Sequence, residues 1–271
     1  MPIKTINHVA LNYLDRGRGL PIVLVHGFPL DSRMWQAQID ALSDHYRIIA
    51  PDLRGFGQSI SSESFTINSL ADDLHALLSN IGALPCLLAG LSMGGYVALA
   101  YAKKFPADLR GLALIDTRAD ADTPEARENR NKMIELAKSA GSKAIADAMF
   151  PKLLCASTIQ NHPPIAQNAR LIMQSQSPLT LQHALAAMRD REDQTGNLPS
   201  IVVPTLILVG EQDAITPPPM AQAMQKLLPD SKLVPIPDAG HLSPMEQSVA
   251  VNRAITQFAE SLFPLPSGEV R

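Results

Sequence analysis

The chain has 271 residues, 46% hydrophobic and 18% charged, with a formal net charge of −3. That is enough for one large globular domain or two small ones, and there is no basic excess to draw it to nucleic acid or an anionic membrane. Apolar runs such as Ile201 to Val209, interrupted by Pro204, are too short to span a bilayer, and no long apolar core follows Met1-Pro2-Ile3-Lys4-Thr5, so neither a membrane segment nor a secretory signal is expected.

Along the chain, strand-like runs alternate with helical patterns. Pro21 to Val25 reads as a buried strand ending at His26-Gly27, and Arg47 to Ala50 as another ending at Pro51-Asp52. Between them, Met34 to Leu42 has helical spacing. The spacing predicts a second helix over Ser69 to Ile81, with Leu70, Leu74, Leu77, Leu78 and Ile81 on one face. Cys86 to Ala89 is a strand, followed by Gly90-Leu91-Ser92-Met93-Gly94 and a helix-like Gly95 to Ala102. Further strands are expected at Gly111 to Ile115, Thr205 to Val209 and Lys232 to Ile236. Runs that do not alternate, separated by helices, imply a parallel sheet covered on both faces.

Between Thr117 and Asn197 no strand pattern occurs. Helices are expected there at Pro124–Ala140, Ser142–Met149, Pro164–Ser175 and Pro178–Asp190, three of them started by proline. This reads as a helical cap, residues 117–197, over the carboxyl edge of a core formed by 1–116 and 198–271. Met133, Met149, Met173 and Met188 lie at helical spacing; most should pack, and some should line a pocket, with Met133 and Met149 the candidates. The tail Phe263 to Arg271 is expected to fray. Cys86 and Cys155 are too few for a disulfide framework and are expected as buried free thiols in a cytoplasmic protein.

The G-x-S-x-G stretch, set between strand and helix, is the context of a nucleophilic serine on a strained turn. A serine hydroxyl needs an adjacent base, and the base an orienting carboxylate. His241, in Pro237-Asp238-Ala239-Gly240-His241-Leu242, follows the last strand. Asp213, in Gly210-Glu211-Gln212-Asp213, follows the strand before it. The order Ser92, Asp213, His241 is the one this motif requires. Asp116, at the end of a strand, and Glu211 are rivals for the acid; otherwise Asp116 would cap the entry to the cap. Backbone N–H groups of Phe28 and Met93 are the candidates for an oxyanion hole. His26 is expected to brace the Phe28 loop. Asp52 and Arg54 are expected to pair and brace the next. Gly27, Phe28 and Leu242 join the two methionines as candidate substrate contacts. The histidines show no metal spacing and the chain no phosphate-cradling loop, so no metal or cofactor is expected.

On His26-Gly27-Phe28-Pro29, Pro51 to Ser59, Gly90 to Gly95, Gly210 to Asp213 and Gly240-His241, the chain resembles the α/β-hydrolase superfamily, and most closely its small capped carboxylesterases and 3-oxoadipate enol-lactonases. The resemblance implies a mostly parallel eight-stranded sheet with a helical cap after the sixth strand. It also implies Ser92 as nucleophile, Asp213 as acid and His241 as base. Ser92 stands where the superfamily's dehalogenases carry aspartate, which argues against that chemistry. The expected activity is hydrolysis of small, largely apolar carboxylic esters. Enol-lactone hydrolysis, kept open by Arg118, is an alternative, as is C–C bond hydrolysis in aromatic degradation. A non-turnover ligand receptor on the same fold is the alternative from outside catalysis. Of basic residues, only Arg33, Arg54 and Arg118 fall near the expected site loops.

Overall fold

The computed structural model describes residues 2–262. The chain opens with two strands, β1 (Ile3–Ile6) and β2 (Val9–Arg16). It continues through β3 (Pro21–Val25), a short 3-10 turn into α1 (Gln36–Leu42), β4 (Arg47–Pro51) and α2 (Ile67–Asn80). Next come β5 (Cys86–Leu91), α3 (Met93–Lys104) and β6 (Leu109–Ile115). Four helices follow, α4 (Pro124–Leu153), α5 (Ala156–Asn161), α6 (Pro163–Gln174) and α7 (Pro178–Arg189). The chain then returns through β7 (Thr205–Gly210), α8 (Pro218–Leu227), β8 (Ser231–Ile236), α9 (Ser243–Glu246) and α10 (Ser248–Leu262).

The strands form one eight-stranded sheet in the order β1-β2-β4-β3-β5-β6-β7-β8. The two pairings at the β1 edge are antiparallel and the rest are parallel. Both faces are covered, which is why the central strands read as unbroken apolar runs. In β3, Val23 and Val25 enter the layer with Leu70, Leu74 and Leu77 of α2 and Val97 of α3. Ile22 and Leu24 face the opposite layer, with Trp35, Ile39 of α1 and Ile255 of α10. At about 25 cal/mol per Å² of apolar surface removed from water, these two layers are the main stabilising term.

The sequence reading lacks β1, β2, α5, α8, α9 and α10. In β2, exposed Ala10 and Arg16 interrupt the buried positions, so no continuous apolar run marks it. The helix expected from Ser69 begins two residues earlier. Thr66 is its N-cap, and Ser69 is the reciprocal partner whose hydroxyl accepts the Thr66 N–H. The two helices expected on either side of Gly141 are both there: α4 is interrupted at Gly141, non-helical at φ 76°, and its second half runs past Met149 to Leu153. The expectation for the tail at 263–271 lies outside the described residues.

Candidate active site

The parallel strands aim their carboxyl ends at one edge, and the candidate residues gather there. Ser92 separates β5 from α3 at φ 52°, a left-handed backbone that a non-glycine residue adopts only when its surroundings impose it. Its N–H donates to the Ile115 carbonyl at 3.0 Å, and its carbonyl accepts from Thr117 Oγ1 at 2.8 Å. The flanking glycines are required sterically. A Cβ on Gly90 would lie 2.2 Å from the Gly94 carbonyl oxygen, and one on Gly94 2.2 Å from that of Val25.

His241 Nε2 is 2.8 Å from Ser92 Oγ, and His241 Nδ1 is 2.8 Å from Asp213 Oδ2. Ser92 keeps 8% of its surface, whereas His241 keeps 1% and Asp213 3%. A hydroxyl that donates to Nε2 leaves Nδ1 to carry the ring proton, so Nδ1–H donates to the carboxylate. Asp213 also accepts from the Ile215 and Thr216 N–H groups and from Thr216 Oγ1 at 2.7 Å, which fixes its rotamer. Burial pushes the His241 pKa down, but the charge and hydrogen bond of Asp213 outweigh it, and the net shift is upward. Burial likewise opposes ionisation of Asp213, and His241 and Thr216 reverse it, so its carboxyl titrates below the usual range. A hydroxyl, an imidazole and a carboxylate in this chain can pass a proton from Ser92 to His241 while the positive charge stays compensated.

A family model described as the alpha/beta hydrolase family matches residues 22–254. The chain belongs to the alpha/beta hydrolase family. It is 35% identical over 272 residues to an AB hydrolase superfamily protein, YisY, of Bacillus subtilis, covering 96% of this chain and 98% of that one. Its structure is similar to that of a thermophilic esterase from Thermogutta terrifontis with malate bound, at TM-score 0.93 and 44% identity, over 96% of this chain and 98% of that one. It is also similar to the enol-lactonase from Burkholderia xenovorans LB400, at TM-score 0.89 and 27% identity, over 95% and 99% of the two chains. The protein is thus a hydrolase with the mostly parallel eight-stranded sheet that the motifs imply.

In this alpha/beta hydrolase the loop after β3 runs beside Ser92: a Cβ on Gly27 would stand 3.2 Å from the Ser92 Cβ. Phe28 is 3% exposed, and neither its N–H nor that of Met93 has another acceptor among the described residues. Met93 opens α3, where N–H groups lack intrahelical partners. His26 is fully buried; its Nε2 accepts the Leu53 N–H at 3.0 Å and its Nδ1 contacts the Gly27 carbonyl at 3.1 Å, so it joins two loops. Desolvation lowers its pKa and keeps it neutral.

The expected Asp52–Arg54 pair does not form. Asp52 accepts from Ser32 N–H, Gln58 N–H and Asn12 Nδ2, while Arg54 makes two contacts of 2.8 Å with Asp73 of α2. Each finds a better-oriented partner on a distant element than two residues along the same loop. Glu211 is exposed and stands outside the hydrogen-bonded chain. Asp116 is fully buried but does not cap the helical insertion: it turns to Gly210 N–H and to Ser243.

Arg33 pairs with Asp31, Arg54 with Asp73, and Arg118 with Asp120 and Asp122. Arg118 lines a cavity of about 220 Å³ with Phe65, Tyr96, Leu99 and Arg191, whose wall includes none of Ser92, Asp213 or His241. Met173 and Met188 are core residues; Met133 and Met149 are half-buried, and Met149 touches both apolar layers. The Leu242 side chain is fully buried, and its N–H donates to the Leu153 carbonyl at the end of α4. Both cysteines are buried and free, and burial pushes the Cys86 thiol up to about 12.

Sequence reasoning missed Thr216, which holds Asp213, and Glu246, which holds the His241 loop. Glu246 Oε1 accepts the Gly240 N–H at 2.8 Å and the Leu242 N–H at 3.3 Å, while Oε2 accepts the Cys155 N–H at 2.8 Å. Thr216, three residues after Asp213, carries a local signal: a carboxylate followed by hydroxyl and N–H donors is an Asx-type turn. Glu246 carries none, because its Cys155 partner is 91 positions away.

Proposed function

We propose that the protein is a serine-dependent carboxylic ester hydrolase acting on small, largely apolar esters. The observation that carries this is the unbroken line from Ser92 Oγ through His241 to Asp213, with both links at 2.8 Å. Ser92 Oγ attacks the ester carbonyl carbon while His241 Nε2 takes its proton. Asp213 holds the imidazolium that forms. The Phe28 and Met93 N–H groups bind the oxyanion, a contribution worth about 10²–10³ in rate per donor. The tetrahedral intermediate expels the alcohol, which leaves with the proton from His241. A water deprotonated by His241 then releases the acid from the acyl-enzyme. No metal or cofactor enters this sequence.

Residues 117–197 act as the cap that admits substrate, with Gly27, Phe28, Met133, Met149 and Leu242 as its contacts or their supports. The pairing of Arg33, Arg54 and Arg118 to carboxylates favours an uncharged acyl chain, since none is left free to hold a substrate carboxylate. The likeness to an enol-lactonase keeps one second reading, lactone ring opening by the same attack.

The test is turnover of p-nitrophenyl acetate and butyrate, alongside a lactone panel, by wild type and Ser92→Ala. Ser92-dependent hydrolysis of the short esters is expected. Ester turnover that survives Ser92→Ala would refute the acyl-enzyme route, and Ser92-dependent turnover confined to lactones would replace the ester reading with the second one.

A further inference from the structure

The three residues Ile115, Asp116 and Thr117 touch all three loops that bear the proposed triad. Ile115 and Thr117 take the N–H and the carbonyl of Ser92, at 3.0 and 2.8 Å. Asp116 lies between them at φ 44°, a left-handed conformation imposed on an aspartate. Its own N–H is spent on the Leu208 carbonyl at 2.9 Å, and this turns the side chain across the end of β7. Oδ1 then accepts the Gly210 N–H at 2.7 Å, three residues before Asp213. Oδ2 lies 2.6 Å from Ser243 Oγ and 3.2 Å from Ser243 N, two residues after His241. A Cβ on Gly210 would lie 2.1 Å from the Gly240 carbonyl oxygen, so the acid and base loops are already in contact and Asp116 closes the seam.

We propose that Asp116 is a positioning residue for the reaction: its carboxyl bridges the Asp213 loop to the His241 loop and, through its chain neighbours, sets both in register with Ser92. The inference rests on the reading of those three residues as the triad. The groups that face Asp116 are Asp213, His241, Ser243 and the Gly210 N–H; Glu246 faces His241 from the other side of its loop. Burial and the Asp213 charge push the Asp116 carboxyl up to about 8. Held uncharged in this way, the carboxyl can donate across the 2.6 Å contact to Ser243 Oγ, which donates to it when it is ionised, while Oδ1 accepts from the Gly210 N–H and Oδ2 from the Ser243 N–H. A bridge of this kind leaves one negative charge, that of Asp213, to orient the imidazole. Ionisation of Asp116 at alkaline pH sets two like charges beside one imidazole and removes a donor from the bridge.

Asparagine can reproduce the Gly210 and Ser243 Oγ contacts of the uncharged bridge, through Oδ1 and Nδ2, and loses only the longer contact with the Ser243 N–H at 3.2 Å. Alanine can reproduce neither. The experiment compares kcat and KM for p-nitrophenyl butyrate in wild type, Asp116→Ala, Asp116→Asn, Ser243→Ala and Ser92→Ala from pH 6 to 10. Rates of the variants that keep Ser92 are normalised to sites titrated by a fluorophosphonate, and that of Ser92→Ala to protein shown folded by circular dichroism, so that unfolded protein does not count. Asp116→Ala is expected to lower kcat about 10- to 100-fold with little change in KM, the cost of a misplaced base. Asp116→Asn is expected to restore kcat to within about threefold of wild type and to lose the alkaline inflection near pH 8. Ser243→Ala, which removes one hydroxyl, is expected to lower kcat about fivefold, and it carries the test where Asp116→Ala does not fold. Unchanged kcat in Asp116→Ala, or in Ser243→Ala where that variant carries the test, overturns the proposal. So does an Asp116→Asn as slow as Asp116→Ala, which assigns Asp116 a charge-bearing role instead. An inactive Ser92→Ala confines each of these outcomes to Asp116; undiminished turnover in Ser92→Ala overturns the triad reading as well.

Discussion

The carboxyl edge of the sheet and the helical insertion above it are held together by different kinds of interaction. At the edge, polar groups are buried and fully engaged: Asp52, Asp116, Asp213 and Glu246 each accept two or more hydrogen bonds. In the insertion, many polar contacts are surface ion pairs. Lys143–Asp147 has side chains 75% and 43% exposed, and Arg127–Asp190 45% and 48%. Exposed pairs contribute roughly 0–1 kcal/mol, whereas stranding one buried charged partner costs about 3–5 kcal/mol. The edge therefore tolerates few substitutions, while the insertion can change its surface freely.

This contrast can be broken at several points. Asp213→Asn should have the largest effect, lowering kcat about 10⁴-fold in the ester assay, because the imidazole loses the acceptor that fixes its tautomer. A milder loss shared with Asp116→Asn would move the acid to Asp116. In the apolar layer beneath the edge, Leu74→Ala should cost about 2–5 kcal/mol in urea unfolding; a smaller cost would mean that the layer collapses around the gap.

The pH dependence sharpens the comparison further. Asp213 outweighs burial and raises the His241 pKa, so with neutral His241 as the proposed base kcat/KM should fall on the acid side with a midpoint above pH 6.5, the ordinary imidazole value. A midpoint below 6 would show that burial outweighs Asp213. For stability the sign at Asp116 is the reverse of the usual carboxylate. Its folded pKa of about 8 exceeds the ordinary 3.8, so the stability it lends is full below pH 3.8 and is lost as pH rises to about 8. Asp116→Asn has no such loss, so its melting temperature relative to wild type should climb across that window and then level off. The smallest effect belongs to the insertion: Lys143→Ala should change unfolding free energy by less than about 0.5 kcal/mol, and 0.5 M salt should erase the difference.

The legible parts of the molecule share a property. Strands β3 to β7 are visible because burial on both faces writes an unbroken apolar run, and Ser92, Asp213 and His241 are visible because the motif fixes one and chain order the others. β2 is obscured by its exposed positions. Helix α10 carries a readable period, Val251, Ala254, Ile255 and Ala259, that the sequence reading passed over. The supports of the site are illegible for a topological reason. Asp116 meets Ser243 across 127 positions, and Arg54 turns from its neighbour Asp52 to Asp73 on α2. A local reading pairs what is adjacent, and the fold pairs what the parallel sheet brings to one edge.

The contacts of Leu153 and Cys155 with the His241 loop have a mechanical consequence. The end of α4 and the start of α5 are bonded to the two residues that flank His241, Leu153 directly at Leu242 and Cys155 through Glu246 at Gly240. On the far side, Gln176 reaches Asp31 and Gly57. The insertion is thus a beam clamped at both ends of its seam with the core, not a door swinging clear of it.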